Sequence, residues 1–377
     1  MKWRIVLVPF AFVVVGVVRL IARWKLVRFG EVYSSRLGHL VGNTECYLGE
    51  KKDSFDIWYF QKKVSHKLIA RKYAKILHVW PRNFVEVVVI VNNLFQGWQK
   101  YIAASEQFDR DIHNTWKKPH ICLTKEERKE GRRILKALGV PRGTPWVCLI
   151  VRDSSYMKSK FKEDFSYHDF RDADIDDYMQ AAVALAKRGF YVIRMGDVVA
   201  SPLKLHHPRI IDYVHSEHKS ELGTLFLGAG CEFCFGTSTG FMAIPQVFQR
   251  PCAVTDFVPI EYISTFCRDR VIWKHHWKDG REMTFDEIIA SGAGQFLHKD
   301  NFKEAGISLK NNTPEEITEL VLEMLEEPED QTDFWNEFPK AISPYNGKPL
   351  HGKMLARLGN GFHARLQAYR KILEKST

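Results

Sequence analysis

The chain predicts an α/β fold built on a parallel sheet, and three observations carry that reading. Short Val/Ile/Phe-rich segments alternate with helical patterns through the second half of the sequence. Capping residues and Gly/Pro stops separate them, as strand–helix units require. Three of the apolar segments end in polar clusters, at Arg152-Asp153, at Arg194-Met-Gly196-Asp197 and at Thr237-Ser238-Thr239-Gly240. Ligands of open α/β sheets bind beyond the carboxyl ends of the strands, and two arginines with a hydroxyl/glycine turn suit a diphosphate.

A length of 377 residues suggests two domains. The net charge of +10 favours polyanionic partners, whether nucleotide, nucleic acid or anionic lipid. Seven cysteines without small-scaffold spacing argue against a disulfide framework. Cys231-x-x-Cys234 lies in an apolar run with no second pair nearby, so both read as small core residues.

Taken in order, the first element is an apolar run from Ile5 to Val18, preceded by Lys2 and Arg4 and followed by Arg19, Arg23, Trp24, Lys25 and Arg28. Its fourteen residues fall short of the roughly 20 that span a bilayer, although a snorkelling Arg19 would extend it to Ala22. The basic, tryptophan-bearing flank suits a helix lying in a cytoplasmic headgroup layer, with a spanning anchor as the alternative. Residues 1–24 are therefore expected to be a membrane anchor segment.

Leu26 to Val32 reads as a first strand, with Ser34 to Leu40 a glycine-containing turn into a helix. Asp56 to Phe60 and Val85 to Val91 read as further strands, on either side of a basic helical stretch from Lys62 to Lys75. Thr124-x-x-Glu127 is a capping box for a helix ending at Gly139 and Pro141, and the Gly139 to Pro145 segment is the linker. Asp174 or Asp176 caps a helix stopped by Gly189, and strands follow at Tyr191, Arg209 to Tyr213, Glu232 to Gly236, Cys252 to Asp256 and Arg270 to Lys274. Thr313-Pro314-x-Glu316 opens a further capped helix, and Gly359 to Lys375 forms the last.

Among residues that carry chemistry, Arg152 offers a planar fork matched to phosphate, with Asp153 and Tyr156 in the loop behind it. Asp197 is placed to accept ribose hydroxyls, and Arg194 either adds a phosphate contact or clamps its loop, with Gly196 freeing the backbone. Thr237 to Gly240 is a nest of hydroxyls and amides at a strand-to-helix turn, but neither a P-loop nor a dinucleotide fingerprint. His206-His207 and His275-His276 lack metal-ligand spacing and read as solvated or acceptor-side residues. Lys274 ends its strand within reach of an acidic acceptor or phosphate.

The ordered motifs Arg152-Asp153-Ser-Ser-Tyr156, Tyr167-x-x-Phe170-Arg171-Asp172-Ala-Asp174, Val192-Ile-Arg194-Met-Gly196, Ile211-Asp212-Tyr213 and Ser238-Thr-Gly240 carry a resemblance. So do Arg36-Leu-Gly38-His39-Leu40-x-x-Asn43-Thr-Glu45 and His351-Gly352-x-x-x-Ala356-Arg357. Together, from about Val27 onward, the chain resembles a family of bacterial glycosyltransferases tied to surface polysaccharide synthesis. More distantly it is similar to GT-B fucosyltransferases. Where those show His-x-Arg-Arg, this chain has Leu149-Ile-Val-Arg152, so GDP-fucose is not carried over as the donor.

The resemblance implies a GT-B-like architecture of two Rossmann-like domains facing a cleft, behind the N-terminal apolar anchor helix. Residues 25–140 would be the acceptor-side domain, 141–330 the nucleotide-sugar domain, and 331–377 a segment whose helix crosses back to the N-terminal domain. It implies metal-independent, inverting transfer of a hexosyl or deoxyhexosyl group from a nucleotide diphosphate sugar to a surface glycan or lipid-linked acceptor. No cofactor and no nucleic acid are expected, and the place would be the cytoplasmic face of the inner membrane. Glu45, then His39, are the candidate bases, with Arg36, Gly38, Asn43 and Lys274 on the acceptor side or its loops. The rival readings are an epimerase or pyruvyl transferase, and a non-catalytic, membrane-tethered binding module.

Overall fold

The computed structural model describes residues 3–50, 53–104, 118–160, 164–264, 266–327, 331 and 356–374. The chain divides into two compact units, residues 1–109 with 118–122, and residues 110–117 with 123–377.

The first unit is built on three parallel strands, β1 (Val27–Val32), β2 (Phe55–Phe60) and β3 (His78–Val79), in that spatial order. Helix α1 (Trp3–Ile21) is the apolar run, turned into a packed element of this unit. Short helices α2 (Thr44–Gly49) and α3 (Lys67–Tyr73) follow β1 and β2, and α4 (Arg82–Asn92) follows β3. Ala11, Val15 and Val18 of α1 share a buried cluster with Val85, Val88 and Val91 of α4 and with Phe29, Ile57 and Tyr59 of the sheet. Among the described residues, no helix is long and apolar enough to cross a membrane.

Two expectations change here. Val85 to Val91 is helical, not a strand. Its buried residues recur three apart, facing α1, and the Arg82–Glu86 pair at 2.6 Å supports the first turn. Tertiary packing thereby overrides the β preference of a valine run. Gly38 is the second case: it sits in the ordinary right-handed helical region, entering a π-helical turn from His39 to Asn43, so no tight turn requires it.

The second unit opens with α5 (Lys125–Ala137), whose Thr124 capping box is formed as expected. Its large sheet contains β4 (Trp146–Ile150), β5 (Tyr191–Arg194), β6 (Ile210–Asp212), β7 (Cys234–Thr237), β8 (Cys252–Phe257), β9 (Arg270–Trp273) and β13 (Arg357–Leu358). The spatial order is β13-β9-β8-β7-β4-β5-β6, and every pairing is parallel. From β4 the chain winds outward through β5 and β6, returns beside β4 as β7, and winds the other way through β8 and β9. That is the strand order of a doubly wound dinucleotide-binding sheet, with its reversal between β4 and β7.

The connecting helices are α6 (Ser155–Lys160), α7 (Met179–Lys187), α8 (Glu221–Gly230) and α9 (Ala243–Val247). Asp174 caps the turn entering α7, its carboxylate accepting from the Asp176 amide at 2.9 Å, which agrees with the capping role read for that pair. A small antiparallel sheet follows, with β10 (His275–Lys278) between β11 (Arg281–Glu282) and β12 (Ser308–Lys310). Helices α10 (Phe285–Ala290) and α11 (Lys299–Glu304) lie between its strands, and α12 (Pro314–Glu323) follows with its capping box.

The final helix, α13 (Asn360–Glu374), is capped from within its own unit: the Glu323 carboxylate accepts from the Asn360 and Gly361 amides at 2.7 and 3.0 Å. Tyr369 of α13 donates to the Glu282 carbonyl at 2.8 Å, also in this unit. His351 and Gly352 of the sequence motif lie outside the described residues. Cys148, Cys231, Cys234 and Cys252 are free, buried thiols, the core role read for the Cys231/Cys234 pair.

Candidate functional site

The polar clusters named from sequence lie along the carboxyl edge of the large sheet, and the reversal point joins two of them. The Arg152 amide donates to Thr237 Oγ1 at 2.7 Å, tying the end of β4 to the end of β7. The strands come close enough that a Cβ on Gly236 would lie 1.9 Å from the Ile150 carbonyl oxygen. Beyond Thr237, Thr239 precedes a short 3-10 turn from Gly240 to Met242 and then α9. Thr239 Oγ1 is buried and has no hydrogen-bond partner among the described residues. Ser238 contributes its carbonyl to Arg171 at 3.4 Å.

The Arg152 guanidinium is held by Asp172, Nε to Oδ1 at 2.9 Å, and not by Asp153 or Asp174. Burial pushes the Asp172 carboxyl up, against the pull of Arg152. The Asp172 carbonyl in turn accepts from Lys274 Nζ at 2.7 Å, and Asn311 Oδ1 accepts from the same ammonium at 2.7 Å. Lys274 is only 3 % exposed. Burial pushes its pKa down, opposed by Asp256 and Asp172. The loop carrying Asn311 is fixed by a reciprocal pair: the Asp256 amide donates to Asn312 Oδ1 at 2.6 Å, and the Asn312 amide donates to Asp256 Oδ1 at 2.8 Å. Tyr178 completes the carboxylate's shell at 2.8 Å.

Beside this network is a cavity of about 480 Å3 lined by Asp169, Phe170, Asp172, Lys274, Lys299, Phe302, Lys303, Ile307, Leu309 and Asn311. Three ammonium groups against two carboxylates leave its wall net positive. The Phe170 and Phe302 rings, 5.2 Å apart, give it an apolar side that suits a planar or sugar ring. A phosphorylated, ring-bearing ligand matches both features. Sequence reasoning named Lys274 but missed Lys299, Lys303, Phe302 and Asn311. Their only local signal is the four-residue spacing of the two lysines on α11, which sets both on one helical face.

Several other named residues are held by neighbouring loops and helices. Arg194 is 3 % exposed and donates to the Ser201 carbonyl at 2.8 Å and to Asp212 at 3.4 Å, which makes it the loop clamp, one of its two expected roles. Asp153 accepts from the Ser155 and Ala200 amides at 2.8 and 3.1 Å. Asp197 pairs with Lys160 at 2.8 Å; burial pushes its carboxyl up, but Lys160 and Lys219 hold it below the usual range. Gly196 follows β5 with a Val199 methyl and a Val214 methyl each 3.1 Å from where a Cβ would be. Tyr156 lies half-buried on α6.

Of the two histidine pairs expected to be solvated or acceptor-side, His275-His276 departs from that role, while His206 is exposed and His207 half-exposed. His276 is 1 % exposed, its Nδ1 against the Lys274 carbonyl at 2.8 Å. His275 is held between Glu282 and Glu316 at 2.6 and 2.9 Å. His206 and His207 line a second cavity of about 560 Å3 beside β6, with Asp212 and His215. Among the described residues, no group of three or more His, Cys, Asp or Glu side chains could hold a metal ion.

In the first unit, Glu45 is fully buried on α2. Its Oε1 accepts from the Tyr73 hydroxyl at 2.9 Å, and its Oε2 meets His120 Nδ1 at 2.8 Å and the His120 amide at 3.3 Å. Burial first, and then Glu45, push the Tyr73 phenol well above its ordinary value, so it stays a donor. Glu45 itself is sealed from solvent, whereas the His120 side chain is 32 % exposed. A carboxylate on Nδ1 fixes the ring and its tautomer, which makes Nε2 the basic nitrogen. His39 is exposed near the Tyr33 ring, at 6.0 Å, while Arg36, Gly38 and Asn43 are half-buried around the π-helical turn.

No known family matches this chain by sequence, and no curated protein does either. Among solved structures, the chain is similar to E. coli ADP-heptose lps heptosyltransferase II, at 11 % identity over 79 % of this chain and 100 % of that one, with a TM-score of 0.40. It is also similar to a glycosyl transferase of family 9 from Veillonella parvula, at 9 % identity over 61 % and 80 % of the two chains, with a TM-score of 0.36. A third is the iron-containing dodecameric glycosyltransferase TibC from enterotoxigenic E. coli, at 12 % identity over 60 % and 57 %, with a TM-score of 0.32. The likeness to fucosyltransferases finds no support among these. Scores and identities this low leave fold and function to be argued from the chain itself.

Proposed function

We propose that the chain is a glycosyltransferase that takes a nucleotide diphosphate sugar at the carboxyl edge of the seven-stranded sheet. The observation that carries this reading is the strand reversal between β4 and β7, where the Arg152 amide meets Thr237 and the Thr239 hydroxyl has no partner among the described residues. The adjacent cavity supports it, with Lys274, Lys299 and Lys303 near an apolar ring-binding wall. In this reading the two α11 lysines and the Arg152 fork meet the diphosphate and stabilise its charge as the sugar–oxygen bond breaks. Within the first unit, His120, its ring oriented by the buried Glu45 carboxylate, has the chemistry of a general base for an acceptor hydroxyl. Glu45 thus becomes a positioning residue.

A thermal-shift panel of UDP, GDP, ADP, CMP and dTDP sugars tests the donor site. One class is expected to raise the melting temperature, and Lys299→Ala with Lys303→Ala should abolish the shift without lowering the melting temperature of the free protein. Arg152→Ala should weaken it. No shift with any nucleotide sugar would sink the reading. With the donor identified, Glu45→Gln should lower kcat about 100-fold and move the pH profile while leaving the donor shift intact.

A further inference from the structure

We infer that the first unit docks onto an anionic lipid surface through one face of α1 and the loop after α4. This rests on a side-chain arrangement within that unit and is independent of the transfer reading.

Val6, Phe10, Val13, Val17, Leu20 and Trp24 recur at spacings of four and three residues, so they form one stripe along the helix and its closing turn. Each is between 50 % and 70 % exposed. The opposite stripe, Ala11, Val15 and Val18, is buried against α4. Helix α1 is thus apolar on both sides, and only one side is covered by its own unit. Leu94, 71 % exposed, and Phe95 extend the uncovered side, Phe95 meeting Phe12 edge-on at 6.1 Å. Contiguous apolar surface of this kind marks an interaction site.

The placement of Arg19 decides what this surface resembles. Sequence alone sets Arg19 as a charge interrupting the apolar run, reaching outward. In the structure its guanidinium turns to the end of α4, donating to Asn92 Oδ1 and the Gln96 carbonyl at 3.1 Å each, and lies over the Phe95 and Tyr101 rings at 5.0 and 4.7 Å. The stripe therefore runs from Val6 to Trp24 without a charge. At its end, Arg23 stacks on Trp24 at 3.6 Å, with Lys25 exposed next to it. No acidic residue occurs before Glu31. An apolar ridge closed by tryptophan and exposed cations, with no carboxylate to repel phosphate, fits the headgroup layer of an anionic bilayer. A second copy of the same surface would oppose cations to cations.

Flotation of the full chain with phosphatidylcholine vesicles, with and without phosphatidylglycerol, tests the assignment. Wild type should float with the anionic vesicles. Val13→Asp combined with Val17→Asp should cut the bound fraction at least about tenfold. Arg23→Ala and Lys25→Ala should each weaken binding to the anionic vesicles about fivefold, with little effect on neutral ones. Because all four positions face outward, the melting temperature should hold. If the aspartate pair fails to fold, Val13→Ser with Leu20→Ser gives the same readout. Wild type that stays with the buffer, or a stripe variant that floats like wild type, overturns the inference. So does a lipid-free dimer that the stripe variant converts to monomer, which would assign the face to a second copy.

Discussion

Gly236 shows how one residue holds the candidate donor site. Its φ of +130° lies where only glycine rests comfortably, and any side chain would run into the Ile150 carbonyl of the neighbouring strand. Gly236→Ala should cost more than about 2 kcal/mol in urea unfolding, and the nucleotide-sugar shift should fall with it, because β4 and β7 must separate at the reversal point. A wild-type unfolding curve would show that the two strands have room to spare. The same scale explains which site residues were readable in sequence. Arg152 and Thr237 to Gly240 stood out because strand ends in a parallel sheet point at ligands. Arg194 and Asp153 obeyed the same rule, yet the structure spends their polar atoms on neighbouring loops. His120 gave no local signal, since its partner Glu45 is 75 positions away.

Between elements, His275 is an electrostatic tie where β10 meets β11 and α12. Burial disfavours its charge, but Glu282 and Glu316 outweigh burial and raise the pKa to about 10. A folded-state value above the unfolded value of about 6.5 means that the tie contributes fully below pH 6.5 and is lost as pH rises through about 10. His275→Gln should therefore destabilise by roughly 2 kcal/mol at pH 6, with the difference shrinking toward zero near pH 10, as followed by urea titrations at several pH values. A difference independent of pH would reduce the contact to packing. Element types were largely legible, because capping boxes at Thr124 and Thr313 and glycine stops state helix bounds locally. The valine run of α4 reads as a strand in sequence because its period is visible only with α1 in place: every residue from Val87 to Val91 is apolar, so alternation and helical spacing cannot be told apart.

At the scale of the whole molecule, the α/β class and the parallel sheet followed from strand–helix alternation, while the strand order did not. Nothing in the sequence says that β7 returns beside β4, or that β13 pairs with β9 across the intervening small sheet. The cavity residues on α11 and near β12 were hidden for the same reason, since they reach the edge of the sheet only through that order. The terminal elements have a measurable role. Arg270 donates to the Glu323 and Glu326 carbonyls at the end of α12, while Glu323 caps α13 and Gln331 bonds the Leu358 amide and carbonyl at 2.7 and 2.9 Å. A chain cut before Ala356 should keep the Arg270 contacts but lose the β13–β9 pairing, the Gln331–Leu358 bonds and the helix that Glu323 caps, and should run as aggregate in size-exclusion chromatography, with a lower melting temperature for any soluble fraction. A monomer with the wild-type melting temperature would make β13 and α13 dispensable.

The pairing of β13 with β9 also sets a timetable. A ribosome releases the chain from its N-terminus, so β9 is made together with the strands it joins, and the segment that covers its free side arrives only after every other strand of the sheet. During that interval β9 offers an open ladder of amides and carbonyls to any extended segment nearby. The newborn protein thus meets wrong partners most readily while its candidate donor site is already assembled, and a chaperone that shields one sheet edge would serve it at that stage.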